Sequence, residues 1–150
     1  MEIRRAVAEE APQLTRLARR SKASWGYPEA WLVEWASELT ISPEYIRENA
    51  VFLAELDGEV AGVVGVGLGE EGPEIAHLWV APEAQGRGLG RALVEQARQV
   101  ATTMQWTVLR IISDPYAQPF YERLGARKVG DVEAPVAGTA RTLPVLELEP

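Results

Sequence analysis

The 150-residue chain has no cysteine and a single histidine, His77. Without thiols there is no disulfide scaffold, no thiolate metal site and no cysteine nucleophile. One histidine also argues against a histidine-built metal centre, so no metal is expected. No apolar run approaches the roughly 18 residues of a membrane-spanning helix. The opening Met1-Glu2-Ile3-Arg4-Arg5 passes into the acidic pair Glu9-Glu10 rather than into the apolar stretch of a targeting signal. The expectation is a soluble, cytoplasmic protein with no membrane partner. Basic residues are in the minority, 15 Lys and Arg against 22 Asp and Glu, for a formal net charge of -7. Phosphate polymers and anionic surfaces select for an excess of cations, so nucleic acid is not the expected partner. A cationic substrate is mildly favoured.

What is present is an ordinary core-forming composition, 47% apolar and 25% charged. At this length that suits one domain spanning residues 1-150. Met1 to Val7 reads as an edge strand. Glu9 to Ser21 reads as a helix with Leu14, Leu17 and Ala18 on one face and Arg16, Arg19, Arg20 and Lys22 as a basic rim. Pro28 suits the first turn of a helix that carries Trp31, Leu32, Trp35 and Leu39 on one face, and Ser42-Pro43 caps a third short piece running to about Asn49. Val51 to Leu56 and Glu59 to Leu68 are strands joined by Asp57-Gly58, a strong hairpin signal. Gly72-Pro73 closes the second of these, and Glu74 to Val80 forms the next strand. A helix follows from Leu89 to about Met104. Thr107 to Ile112 is an aliphatic run with the mark of a strand buried on both faces. Asp114 to Leu124 reads as a short helix ended by Gly125, and Ala126 to Val132 and Thr142 to Leu148 are the last strands. Glu133 to Ala140 is a loop with the composition of a mobile segment.

Between Val80 and the Leu89 helix lies Gln85-Gly86-Arg87-Gly88-Leu89-Gly90-Arg91. Alternate glycines let the backbone turn its N-H groups toward an oxyanion, and the helix N-terminus adds partial positive charge. The turn is built to hold a phosphate. A dinucleotide fingerprint fails because Arg91 stands where its third glycine belongs, and a Walker loop fails at Gly90-Arg91-Ala92.

The pattern that matches is Gln/Arg-x-x-Gly-x-Gly/Ala, carried by Gln85, Gly88 and Gly90. It resembles the acyl-CoA pyrophosphate loop of the GNAT superfamily of N-acetyltransferases. Phe120-Tyr121-Glu122-Arg123-Leu124-Gly125-Ala126 resembles that superfamily's second signature. Ser21-Lys22-Ala23-Ser24-Trp25-Gly26-Tyr27 and the terminal Leu143-Pro144-Val145-Leu146-Glu147 are similar to stretches of one GNAT-like subgroup, a likeness that names no substrate. The resemblance covers nearly the whole chain. It implies an α+β fold, an α/β three-layer arrangement with a mixed central sheet of about seven strands flanked by four helices. It also implies acetyl-CoA as cofactor and a primary amine, small molecule or peptide, as acceptor. A homodimer is compatible with it.

The resemblance further assigns roles. Leu78, Trp79 and Val80 would offer backbone groups to the pantetheine arm and the thioester oxygen. Gln85, Gly86, Arg87, Gly88, Leu89, Gly90 and Arg91 would hold the pyrophosphate. Tyr121 stands where the general acid is usual, with a core-packing tyrosine as the alternative. Asp114 replaces an asparagine that binds the cofactor arm in many relatives, and could equally cap the short helix with Pro115 at its first position. Glu74 and His77 are the candidates for a base. Strict alternation places Glu74 with Ala76 and Leu78 on one face and His77 on the other, unless a bulge intervenes. A solvated strand end remains open for Glu74, and a water chain remains open as the proton's route. Trp25 and Tyr27, in the break after the first helix, are substrate-pocket candidates, whereas Trp31 and Trp35 read as core. A CoA-binding module with a regulatory rather than a catalytic role, and an unrelated nucleotide binder, are the alternative readings.

Overall fold

The structure, a computed structural model, describes all residues from 1 to 150. Seven strands form one mixed sheet in the order β1-β2-β3-β4-β5-β7-β6. They are β1 (Glu2–Arg5), β2 (Ala50–Leu56), β3 (Glu59–Gly69), β4 (Gly72–Val80), β5 (Leu109–Ile112), β6 (Arg127–Glu133) and β7 (Thr142–Leu148). The helices are α1 (Ala11–Ala23), α2 (Glu29–Glu34), α3 (Pro43–Glu48), α4 (Leu89–Met104) and α5 (Gln118–Arg123). The seven strands agree with expectation, and there are five helices rather than four because the Ser42 piece is a helix in its own right. Its cap is the Ser42 hydroxyl, which accepts the Tyr45 N-H at 3.0 Å.

The β2–β3 hairpin turns at Asp57 and Gly58, both with positive φ (55° and 80°), as a two-residue primed turn requires. Fully buried Val51, Leu53, Val63, Val64 and Val66 make this hairpin the centre of the core. Gly72-Pro73 does not close β3 but opens β4, with Gly69 paired to Gly72. The helix expected through Leu39 stops at Glu34, where the Ala36 N-H reaches back only three residues to Val33 and tightens the chain into turns. The last short helix starts at Gln118 rather than at Pro115. The Asp114 carboxylate instead accepts the Tyr116 N-H, an Asx turn that uses up the residues of the expected first turn.

Two irregularities in β4 shape the middle of the sheet. The first is a bulge. Gly65 pairs with His77, Val66 with Ile75 and Gly67 with Glu74, which leaves Ala76 unopposed. Partners across an antiparallel pair share a face, so Gly65 and Gly67 put His77 and Glu74 on the same face. Strict alternation, which sets them apart, is overturned by that one extra residue. The second is a splay. Strands β4 and β5, the parallel pair in the sheet, share only the register pair Glu74 and Arg110. Beyond it they diverge, and β5 is held on its other side by β7 along Leu109 to Ile112.

Candidate active site

The splay leaves β4 backbone without a neighbour. The Ala81 N-H donates to the Ala61 carbonyl at 2.8 Å, so alternation makes Trp79 a hydrogen-bonded partner of Val63 and leaves Leu78 and Val80 unbonded to β3. The N-H groups of Leu78 and Val80 therefore point into the gap. That of Trp79 points to β3, which separates it from its two neighbours in any backbone contact with a ligand in the gap.

The gap opens a cavity of about 950 Å³. At one end it is lined by Gln85, Gly86, Gly88, Leu89, Gly90 and Arg91, and it continues past Leu78, Trp79 and Val80 to Ser113, Phe120 and Tyr121. At the far end stand Lys22, Trp25, Trp35, Glu38, Tyr116 and Arg141. One opening thus runs from the glycine turn, across the sheet, to the α1–α2 region.

The turn is formed for an anion. Gly86 and Gly88 have φ of 78° and 83°, a conformation that L side chains resist. Gly90 serves close approach, since a Cβ there would stand 3.1 Å from Phe120 Cζ. The backbone N-H groups from Gln85 to Arg91 donate to no other protein group, and the first turn of α4 adds its partial charge. These donors fit the pyrophosphate of a CoA thioester. Arg87 is exposed and does not line the cavity.

Tyr121 is 7% exposed and lines the cavity, and its hydroxyl makes no hydrogen bond within the protein. Burial raises its pKa, so the phenol stays protonated and able to donate. Its neighbour Phe120 packs against it edge to face and closes on Gly90.

The two base candidates lie apart from the cavity lining. His77 is 9% exposed, with Tyr45 packed edge to face against it at 5.3 Å. The Trp79 indole N-H donates to its Nδ1 at 3.0 Å, and burial lowers its pKa to about 4. It is neutral at pH 7, with one ring nitrogen already used. Burial raises the Glu74 carboxyl, which reaches over Gly69.

Asp114 and Tyr27 differ most from the sequence reading. The Asp114 carboxylate accepts from Lys22 Nζ at 2.8 Å and from the Tyr27 hydroxyl at 2.8 Å, with Arg141 Nη2 at 3.4 Å. Burial alone would raise its pKa, but the bond and charge of Lys22 and the donors from Tyr116 and Tyr27 outweigh that and hold it below the ordinary value. Tyr27 is in the wall rather than on it. Its ring packs on Trp31 and Trp35 at 5.6 and 5.1 Å, and it does not line the cavity. Trp25 does line it, stacked on Tyr116 at 5.2 Å and 8°. Lys22, expected on an exposed rim, is 11% exposed and lies over Trp35 at 4.5 Å.

Sequence reasoning missed Tyr116 and Arg141. Neither sits in a motif, and Arg141 reaches the site only because β7 folds back beside β5. The loop before it is anchored, with the Ala137 N-H donating to Glu34 Oε2 at 2.7 Å and Val136 bridged to Thr139 and 1% exposed.

Comparison with known proteins agrees with this geometry. The chain is 28% identical over 131 residues to the 5-NmdU N-acetyltransferase of Pseudomonas phage PaMx11, covering 86% of this chain and 89% of that protein. It is 32% identical over 98 residues to the peptidyl-lysine N-acetyltransferase YiaC of Escherichia coli K12, covering 65% and 64%. Its fold matches a GCN5-related N-acetyltransferase from Rhodopseudomonas palustris with a TM-score of 0.83 at 18% identity, over 99% and 94% of the two chains. It also matches a PaiA N-acetyltransferase from Thermoplasma acidophilum, solved with coenzyme A, with a TM-score of 0.74 at 18% identity, over 99% and 98%. None of these comparisons supports a purely regulatory module. The family model described as "Acetyltransferase (GNAT) domain" matches residues 18–140, and the chain belongs to that family of acetyltransferases.

Proposed function

We propose that this chain, folded as one domain over residues 1-150, transfers an acetyl group from acetyl-CoA to a primary amine held at the aromatic end of the cavity. The observation that carries the reading is continuity. The cavity joins the glycine turn to the Trp25 and Tyr116 wall through the gap between β4 and β5, and the unpartnered Tyr121 hydroxyl lies along it. When bound, acetyl-CoA supplies an activated thioester carbonyl. The chain's own groups supply the rest. The N-H groups from Gln85 to Arg91 bind phosphate. The Leu78 and Val80 N-H groups, held in place by the bonding of Trp79 to β3, meet the arm and stabilise negative charge on the carbonyl oxygen. Tyr121 donates the proton that the departing thiolate needs.

Amine deprotonation goes through water in this reading, since neither Glu74 nor His77 lines the cavity. Asp114 supports the acceptor end rather than the cofactor arm, being occupied by Lys22 and Tyr27. The acceptor is a small molecule or a peptide amine; that breadth is supported by similar proteins named for acetylating 5-NmdU and peptidyl-lysine. The test is thermal unfolding with and without acetyl-CoA, followed by thiol release across an amine panel. Saturating acetyl-CoA should raise the melting temperature, and an accepted amine should release free thiol. No shift together with no thiol release would reject the reading.

A further inference from the structure

The acceptor end of the cavity holds a buried cluster whose charges do not cancel. Lys22, Arg141 and Asp114 are 11%, 11% and 10% exposed at their side chains, so two cations share one carboxylate. Lys22 is committed, its Nζ on Asp114 and its charge over the rings of Trp35 and Tyr27 at 4.5 and 5.3 Å. Arg141 is not. Its Nη2 donates to the Tyr27 hydroxyl at 2.7 Å and approaches Asp114 at 3.4 Å, whereas Nε and Nη1 meet no protein acceptor. Those two nitrogens are not sealed off either, because neither is among the buried polar atoms without a partner. They keep some open surface, and Arg141 is one of the residues that line the cavity.

The guanidinium is also fixed in orientation. Its carbon lies 5.0 Å from the Tyr27 ring centroid and 4.9 Å from that of Trp35. A rigid planar cation with a free side of its fork fits a carboxylate, which accepts two parallel N-H bonds. Burial of a half-paired cation costs free energy that a ligand carboxylate would recover. The acidic groups nearby do not serve as that partner. Glu34 accepts the Ala137 N-H, and Glu38 is exposed on the rim. The acidic rim and the cationic interior together suit a zwitterion.

Resting on the acetyltransferase reading, we propose that Arg141 forms a carboxylate subsite and that the acceptor is an amine that itself carries a carboxylate, such as a free amino acid. Lys22 neutralises Asp114, which leaves Arg141 to bind the substrate's negative group. The subsite selects among amines.

The test compares each of the twenty amino acids with its C-terminal amide as acceptor, for the wild type, Arg141→Gln and Arg141→Lys. For an accepted amino acid the wild type should prefer the acid over the amide by roughly a hundredfold in kcat/KM, the scale of a paired charge-assisted bond. Arg141→Gln should cut that preference to within about threefold, by lowering the rate on the acid far more than the rate on the amide. Arg141→Lys should restore part of it. Equal wild-type rates on acid and amide, or an Arg141→Gln loss that falls equally on both, would overturn the subsite. Arg141→Gln leaves Lys22 and Asp114 as a neutral pair, and its thermal unfolding beside the wild type and Arg141→Lys checks that it folds. If no amine is acetylated in either form, the proposed function fails, and calorimetry decides the subsite separately. N-acetylamino acids should then bind to the wild type with CoA present and bind at least tenfold more weakly to Arg141→Gln. Equal binding, or none to the wild type, would overturn it.

Discussion

Lys22 and Asp114, 92 positions apart in the chain, meet at 2.8 Å with each side chain about one-tenth exposed. This pair ties α1 to the segment after β5 at the aromatic end of the cavity, and it holds Asp114, which also lines that cavity, as a buried anion. Asp114→Asn should therefore act mainly on stability. It strands Lys22 and Arg141 as buried cations, at a cost of about 3 kcal/mol. Urea denaturation should show the loss, and Lys22→Met combined with Asp114→Asn should recover much of it. A double variant no more stable than Asp114→Asn alone would argue against the pairing. Because the folded-state pKa of Asp114 is depressed, its contribution is complete above the unfolded value near 4 and fades as pH falls below it.

His77 gives a second limb at higher pH. Its pKa falls from 6.5 to about 4 on folding, so between those values the unfolded chain binds more protons and stability rises with pH. The neutral imidazole thus contributes fully above pH 6.5, and up to about 3 kcal/mol is lost as pH falls through 4. His77→Gln should flatten the stability profile between pH 4 and 6.5. An NMR titration that places the His77 pKa above 6 would refute this.

Tyr121→Phe should separate chemistry from folding. Its hydroxyl makes no hydrogen bond within the protein, so its removal should move stability by less than about 0.5 kcal/mol. Turnover should fall about a hundredfold, the low end for a lost general acid, while acetyl-CoA affinity holds. Wild-type turnover in this variant would remove Tyr121 from the mechanism.

Gly88→Ala tests the turn. At φ 83° a side chain costs about 1 kcal/mol in the left-handed region. Relaxation of that strain should misalign the N-H groups from Gln85 to Arg91 and weaken acetyl-CoA binding at least tenfold by calorimetry. Unchanged affinity would mean that the turn tolerates a side chain and that the phosphates sit elsewhere.

Much of the fold was legible because its signals are local. Asp57-Gly58 demands positive φ, Ser42 caps its own helix, and of the helical spacing Leu89, Ala92, Leu93, Ala97, Val100 and Ala101, Leu89, Leu93, Ala97 and Ala101 are buried on one face of α4. The phosphate turn is legible for the same reason, since its glycines act through their own backbone. The helix expected at Pro115 failed because the Asp114 side chain chose the Tyr116 N-H. Glu74 and His77 could not be placed, because a bulge at Ala76 depends on how β3 and β4 align.

By itself, then, the sequence determined the glycine turn and the order of strands and helices, both fixed by conformational preferences within a few residues of chain. The tertiary structure alone decided which side chains line the aromatic end of the cavity. Lys22, Asp114, Tyr116 and Arg141 come from separate elements, and the burial that pairs them exists only once α1, β5 and β7 pack together. Charge and burial act through space, and no spacing along the chain encodes a free fork on Arg141.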